Sequence, residues 1–220
     1  MTLRTNADDR PAAYRPFPEI EPVDEIARRH YHLRTQRLLR SERLERLDPP
    51  ITRADQRGLV RGELAPCRAR QVVQQWHSEE SDEQNRPWLM LLGPPGVGKT
   101  LAALEVALES AWSAYIGARA LEQCFGSRFG APVELQDRLR VCPGLLVLDD
   151  LGRESDPTIV GAALLELIDA RRSDDRMTIA IANLNREQLE QRYPDPRLAS
   201  RLAQSARWGV CSGPDFRRAP

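Results

Sequence analysis

Lysine is all but missing from this chain. Of its 32 basic residues, Lys99 is the one that is not arginine. A composition drawn so far toward arginine has spared a single position, which marks Lys99 before any motif is considered. Net charge is missing too. The 32 acidic residues balance the basic ones, so no overall field announces a polyanionic partner or an anionic membrane, and any such surface must be local. Paired cysteine spacing is lacking: Cys67, Cys124, Cys142 and Cys211 form no CxxC, which argues for reduced thiols. His30 and His32 would point about 200° apart on a helix and His77 stands alone, so no metal-binding set emerges. No apolar run approaches a membrane span, and Met1 to Ile20 is polar and proline-rich, unlike a signal peptide. The expected compartment is the cytoplasm. At 220 residues there is room for one full α/β domain and a short appendage.

What the chain does have is Gly93-Pro94-Pro95-Gly96-Val97-Gly98-Lys99-Thr100, which matches the spacing of a phosphate-binding P-loop. Gly96 and Gly98 permit backbone angles that turn consecutive N–H groups inward, making a nest for an anion. Pro94 and Pro95 have no N–H to offer and stiffen the entry. Lys99 can reach the β- and γ-phosphates of ATP, and the Thr100 hydroxyl can ligate Mg2+. The flanks agree: Pro87 to Leu92 reads as a buried strand running in, and Leu101 to Trp112 as a helix running out.

Upstream, residues 1 to about 22 carry four prolines among charges, a composition for an extended arm. Val23 to Leu47 is helical in pattern. Ile26, Leu33, Leu44 and Leu47 fall near one face, but arginines at every third position from 34 to 46 make a slow spiral across it. The helix is either a solvated charged surface or a docking element for protein or DNA. Pro49-Pro50 ends it, residues 51–64 read as polar linker, and a second helix after Pro66 places Ala69, Val72, Val73 and Trp76 for burial. Ser78 to Arg86 is a polar connection.

Downstream, Ala114–Gly117 reads as a strand, and residues 118–140 as helical turns broken by Gly126, Gly130 and Pro132. Leu145 to Asp150 is an apolar strand ending in two carboxylates. P-loop proteins have, beside the P-loop strand, a strand ending in an acid that holds Mg2+, the role for which Asp149 is suited. Asp150 is placed to polarise an attacking water. An aspartate pair capping a turn is the plain alternative. Thr158 to Arg172 is an amphipathic helix, and Met177 to Ala182 a buried strand that ends in Asn183. A neutral amide there can hydrogen-bond both γ-phosphate and water without charge repulsion. Asp195-Pro196 then starts a helix with Arg197 and Arg201 on one face, where surface salt bridges explain them equally well, and Arg207 to Cys211 reads as a fifth strand.

In this order the pieces GPPGVGKT at 93–100, LLVLDDLG at 145–152, LLELIDARR at 164–172, IAIANL at 179–184, RLASRL at 197–202 and GPDFRR at 213–218 resemble the DnaC/IstB-type AAA+ ATPases, which include helicase loaders and transposon ATPase subunits. The resemblance implies an α/β three-layer P-loop (AAA+) domain over residues 65–220, with a five-stranded parallel sheet, ATP and Mg2+ at the strands' carboxyl ends, and self-association through the ATP site. Residues 1–64 become a short helical N-terminal region for partner docking. Arg201 becomes an arginine finger acting on a neighbour's γ-phosphate, with Arg197 on the same interface beside the nucleotide. Asp150 stands where such proteins more usually have glutamate, so slow, partner- or DNA-stimulated ATP hydrolysis is expected. Only nine residues follow the fifth strand, so no helical lid is expected, and Arg217 or Arg218 would have to replace a lid arginine. The implied function is loading of a replicative helicase, with single-stranded DNA bound. The alternatives are an IstB-like transposition ATPase binding duplex DNA and transposase, and an ATP-gated scaffold with little hydrolysis.

Overall fold

The computed structural model describes residues 25–78, 87–126 and 133–217. The arm at 1–22, the connection at 79–86, the breaks at Gly130 and Pro132, and Arg218 lie outside the described residues, as do the side chains of Ile26 and His30. The chain divides into two compact units, Met1–Gln36 and Arg37–Pro220, and the second holds the sheet.

Five short runs rich in Leu, Ile, Val and Ala form parallel strands: β1 (Trp88–Leu92), β2 (Ala114–Gly117), β3 (Leu146–Leu151), β4 (Thr178–Ala182) and β5 (Ala206–Val210). They lie within a residue or two of the expected positions. β1, β3 and β4 are apolar almost throughout because both faces of a parallel sheet are covered. Period-2 alternation sends Trp88, Met90, Leu92, Leu146, Leu148 and Ala180 to one face. There they meet α5 (Ala118–Gly126), α6 (Val133–Val141), α7 (Pro157–Arg172), α8 (Arg186–Arg192) and α9 (Pro196–Ser205). Leu89, Leu91, Val147, Ile179 and Ile181 face the other way, onto α3 (Arg68–Ser78) and α4 (Lys99–Ala107).

The strand order is β2-β3-β4-β1-β5. The acid-bearing β3 is therefore not beside the P-loop strand as expected: β4 intervenes, pairing Ala180 with Met90 on one side and Leu148 on the other. Spacing along the chain does not encode which crossover lands where.

Three further stretches differ from expectation. Residues expected as linker at 51–64 contain helix α2 (Arg53–Arg61), capped by the Thr52 side chain at one end and left-handed Gly62 at the other. Its Leu59, 1% exposed, packs with Leu44 and Leu47 of α1 (Glu25–Leu47) in the core cluster against α4. Burying one such leucine contributes about 2 kcal/mol, enough to hold a nine-residue helix whose own propensity is weak. Helix α4 stops at Ala107 rather than Trp112, and Arg43 donates to the carbonyls just past its end, Leu108 O at 2.6 Å and Glu109 O at 2.8 Å. Helix α8 went unread, although its capping box, Asn185 with Gln188, stands in the sequence.

One buried charge ties the far end of the sheet together. Arg171, fully buried on α7, donates to Thr178 Oγ1 at 2.9 Å and to the carbonyls of Leu139, Cys142, Gly144 and Met177 at 2.8–3.2 Å. All five guanidinium N–H groups have acceptors, with no carboxylate among them. Burial pushes its pKa down to about 10. Removing this side chain takes a donor from four carbonyls at once, although Met177 O keeps the Leu146 amide and Gly144 O the Cys142 thiol. Arg171→Ala is expected to lower unfolding free energy by about 3–5 kcal/mol in denaturant titration. Arg171→Lys, with three donors, should recover only part of that loss, and full recovery would show that charge rather than fork geometry matters.

Candidate nucleotide site

The P-loop bridges β1 and α4, and its shape is set by glycines. Gly93, Gly96 and Gly98 have φ of 141°, 81° and 89°, angles that other residues rarely adopt. Their Cβ positions are also taken. A side chain at Gly93 would strike the Cys211 carbonyl and one at Gly96 the Asp215 carboxylate, while one at Gly98 would come within 2.9 Å of Cys67 Sγ. The Phe216 amide donates to Gly96 O at 3.0 Å, so the segment after β5 braces the loop from outside. Inside, the first N–H groups of α4 point into the loop, as at any helix start.

Five residues expected to handle phosphate, metal or water, Lys99, Asn183, Asp150, Asp149 and Thr100, belong to one hydrogen-bonded chain. Lys99 Nζ donates to Gly93 O and Pro94 O at 2.7 Å each and to Asn183 Oδ1 at 2.9 Å. Asn183 Nδ2 donates to Asp150 Oδ1 at 3.2 Å, which orients the amide with its oxygen toward the lysine and its nitrogen toward the acid. The Asp150 amide donates to Asp149 Oδ1 at 2.7 Å, and the Thr100 hydroxyl donates to Asp149 Oδ2 at 2.9 Å. Asn183 can bridge lysine and acid because β4, at whose tip it stands, lies between β1 and β3. Pro95 and Val97 complete the loop, Val97 buried beneath it.

A β-bulge separates the two acids' duties. Leu148 pairs with Ala180 and Leu151 with Ala182, so three steps on β3 span two on β4. Asp150 takes up the mismatch in the left-handed region, at φ 57°, strain of roughly 1–3 kcal/mol for a residue with a Cβ. As a result Asp149 is 5% exposed, while the Asp150 side chain is 53% exposed, 3.8 Å from Arg153 Nε. Burial raises the Asp149 pKa against the lowering effect of its hydrogen bonds from Thr100 and the Asp150 amide. Burial likewise lowers that of Lys99, with the nearby Arg217 charge adding to the effect. Both groups are held where water cannot compete with a ligand of opposite charge.

Tyr115 was missed by sequence reasoning. Its hydroxyl donates to Asp149 Oδ2 at 3.0 Å, and burial, then the Asp149 charge, push its pKa far up, so it stays a donor. The signal would have been the pairing of Gly117 with Asp149, a register that sequence does not state.

Two expected site residues stand apart. Arg201 is paired with Asp169 at 2.9 Å and Arg197 with Asp195 at 2.7 Å, and neither bonds to the P-loop or the acid pair of its own chain.

The residues present fit a magnesium-bound nucleotide: a glycine nest backed by a buried lysine for phosphates, and hydroxyl plus carboxylate oxygens, the hard donors Mg2+ prefers, 2.9 Å apart. Lys99→Ala is expected to weaken binding of a fluorescent ATP analogue on the order of 10- to 100-fold, the worth of one or two charge-assisted hydrogen bonds. The raised Asp149 pKa carries a pH consequence. Metal ligation needs the carboxylate, so the Mg2+-dependent gain in analogue affinity should fade on acidification at a pH above the ordinary aspartate range. Asp149→Asn should lack both the gain and its pH dependence in the same titration.

No family model matches the chain, and no curated protein matches it. Solved structures do. The chain is similar to DnaI at a TM-score of 0.54 and 22% identity, over 67% of this chain and 83% of that one. It is similar to the DnaC helicase loader at a TM-score of 0.52 and 19% identity, over 67% and 92%. DnaA of Aquifex aeolicus with AMPPCP bound gives a TM-score of 0.56 and 16% identity, over 70% of this chain and half of that one. With the 93–100 loop after β1, the acid pair on β3 and β4 between these strands, the chain shares the α/β fold of these structures.

Proposed function

We propose that this protein binds and hydrolyses ATP as a helicase loader in DNA replication. The observation that carries the reading is the unbroken hydrogen-bonded chain from Lys99 through Asn183, Asp150 and Asp149 to Thr100. Lys99, freed from the Gly93 and Pro94 carbonyls, binds the β- and γ-phosphates. Thr100 and Asp149 are the residues that would hold Mg2+, which when bound would neutralise phosphate charge. Asp150 accepts the proton of the attacking water, and Asn183 orients that water against the γ-phosphate. Asp150 has a shorter arm than glutamate and engages Asn183 and Arg153, so turnover is slow until a partner or DNA rearranges it.

Helix α9 supplies the neighbour's site. The Arg201–Asp169 pair is exposed on both sides, 42% and 49%, and such pairs contribute about 0–1 kcal/mol, so Arg201 leaves it at little cost. Arg201 then acts in trans on the γ-phosphate of the adjoining subunit, with Arg197 on the same interface. The likeness to the DnaC helicase loader supports a helicase as the protein partner; the replicative helicase, and single-stranded DNA as the ligand of the assembled core, rest on the sequence resemblance. The N-terminal region up to about residue 64 docks the helicase, and the protein works in the cytoplasm. Since the sheet-bearing unit starts at Arg37 and uses Arg43, Leu44 and Leu47, a chain starting at Arg37 should keep nucleotide affinity while losing capture of a helicase hexamer. Retained capture would move docking onto the core.

The decisive measurement is mixing. Arg201→Ala should bind the ATP analogue normally and lose on the order of 10³- to 10⁵-fold in turnover, as when a principal arginine finger is removed. Neither Arg201→Ala nor Lys99→Ala should be active alone, but a co-assembled mixture contains composite sites with an intact loop and an intact finger. Recovered ATPase places Arg201 across the interface. Flat activity with demonstrated co-assembly returns it to the salt bridge with Asp169. Asp150→Asn should bind and not turn over, with a loss of roughly 10²- to 10⁴-fold.

A further inference from the structure

Behind the acid pair sits a fully buried carboxylate with no part in the phosphate site. The Glu154 side chain is 0% exposed. It accepts from the Gly152 amide at 2.8 Å through Oε2 and from Arg192 Nε at 2.8 Å through Oε1, while Arg192 Nη2 donates to the Glu154 carbonyl at 2.6 Å. The same Gly152 N–H also reaches the Tyr193 hydroxyl oxygen, at 3.0 Å. Gly152 is two residues past Asp150. Its φ of 94° is a second left-handed turn, and any Cβ there would come within 2.8 Å of Leu184.

A left-handed aspartate persists only where its surroundings leave it no alternative. On the near side of Asp150 the β3–β4 ladder holds Leu148, and on the far side it resumes only at Leu151. Just beyond Leu151 the Gly152 amide has two side-chain acceptors; further along, Arg119 Nε donates to Arg153 O at 3.2 Å and Glu122 accepts from the Ser155 and Asp156 amides. Removing water from a carboxylate to hold one amide is costly unless the carboxylate is itself paired, which Arg192 provides. Arg192 and Tyr193 close α8, and Asp195, two residues on, caps the helix that bears Arg201.

We propose that Glu154, Arg192 and Tyr193 are positioning residues that pin the turn after β3 and so hold Asp150 where it can take a proton from water. The consequence for rate rests on the hydrolytic reading above; the pinning itself does not. Glu154→Gln keeps an oxygen for Gly152 but turns an amide NH2 toward Arg192, and Tyr193→Phe removes both the second acceptor for Gly152 and the hydroxyl that donates to Glu154.

The test uses the full chain and compares wild type, Glu154→Gln, Tyr193→Phe and Arg192→Lys, the last retaining the charge. Amide hydrogen exchange over residues 150–153, Kd for the fluorescent ATP analogue, kcat and melting temperature are measured together. Exchange at Gly152 in Glu154→Gln should quicken about tenfold or more. Its kcat should fall roughly 10- to 100-fold with Kd held within about twofold, and Arg192→Lys, which keeps a positive charge against Glu154, should lose less. Unchanged exchange overturns the pinning. Faster exchange with unchanged kcat overturns the positioning of Asp150, and so do Kd, kcat and melting temperature failing together, which is the signature of a part that only supports the fold. If the wild type binds nucleotide but never turns it over, with or without partner, the hydrolytic reading fails by that result, and exchange at 150–153 alone still decides the pinning.

Discussion

Two opposite charges, Lys99 and Asp149, are almost removed from water at the carboxyl edge of the sheet, 4% and 5% exposed. A bare buried ion is not tolerated, so each must find fixed partners, and the arrangement of the site follows from supplying them. Lys99 takes two loop carbonyls and the Asn183 oxygen. Asp149 takes Thr100, Tyr115 and the amide of its neighbour. These are the groups a phosphate chain and its metal would engage, so the protein's own contacts hold the site in a geometry close to the one it uses. Binding then exchanges one set of acceptors for another instead of building a site from a loose loop.

The second acid shows the opposite treatment. Asp150 is pushed out of the ladder by a bulge, left half in solvent and kept in a strained turn. One strand thus presents adjacent carboxylates in different environments: one desolvated and hydrogen-bonded, the other half in solvent. Environment, not residue type, distinguishes two aspartates that are chemically the same.

The sheet's two ends are held by different means. At the carboxyl end, polar side chains satisfy one another across strand tips. At the amino end, Arg171 gathers the carbonyls of residues leading into β3 and β4, and on the α4 side Arg43 binds a carbonyl just past the end of the helix that begins at the P-loop. In a chain that uses arginine for every other basic position, the planar five-donor fork does this stapling, and the single point-charge ammonium is reserved for the phosphate loop.

By itself the sequence determined the strands, the P-loop, and the identities of Lys99, Thr100, Asp149, Asp150 and Asn183. Local rules suffice for these: apolar runs for doubly covered strands, glycines where φ must be positive, acids and amide at strand tips. Tertiary structure alone decided that β4 separates β1 from β3, that Tyr115 reaches Asp149, and that Leu59, in a segment with a polar composition, is core. It alone decided that Arg201 lies on Asp169 within its own chain and that Glu154 is buried against Arg192. Each of these depends on which distant segment packs alongside, and periodicity says which face of an element is apolar without saying what will cover it. The left-handed turn at Asp150 belongs to the same class, because no local preference of aspartate fixes it; the bulge in β3 and the contacts on Gly152 do.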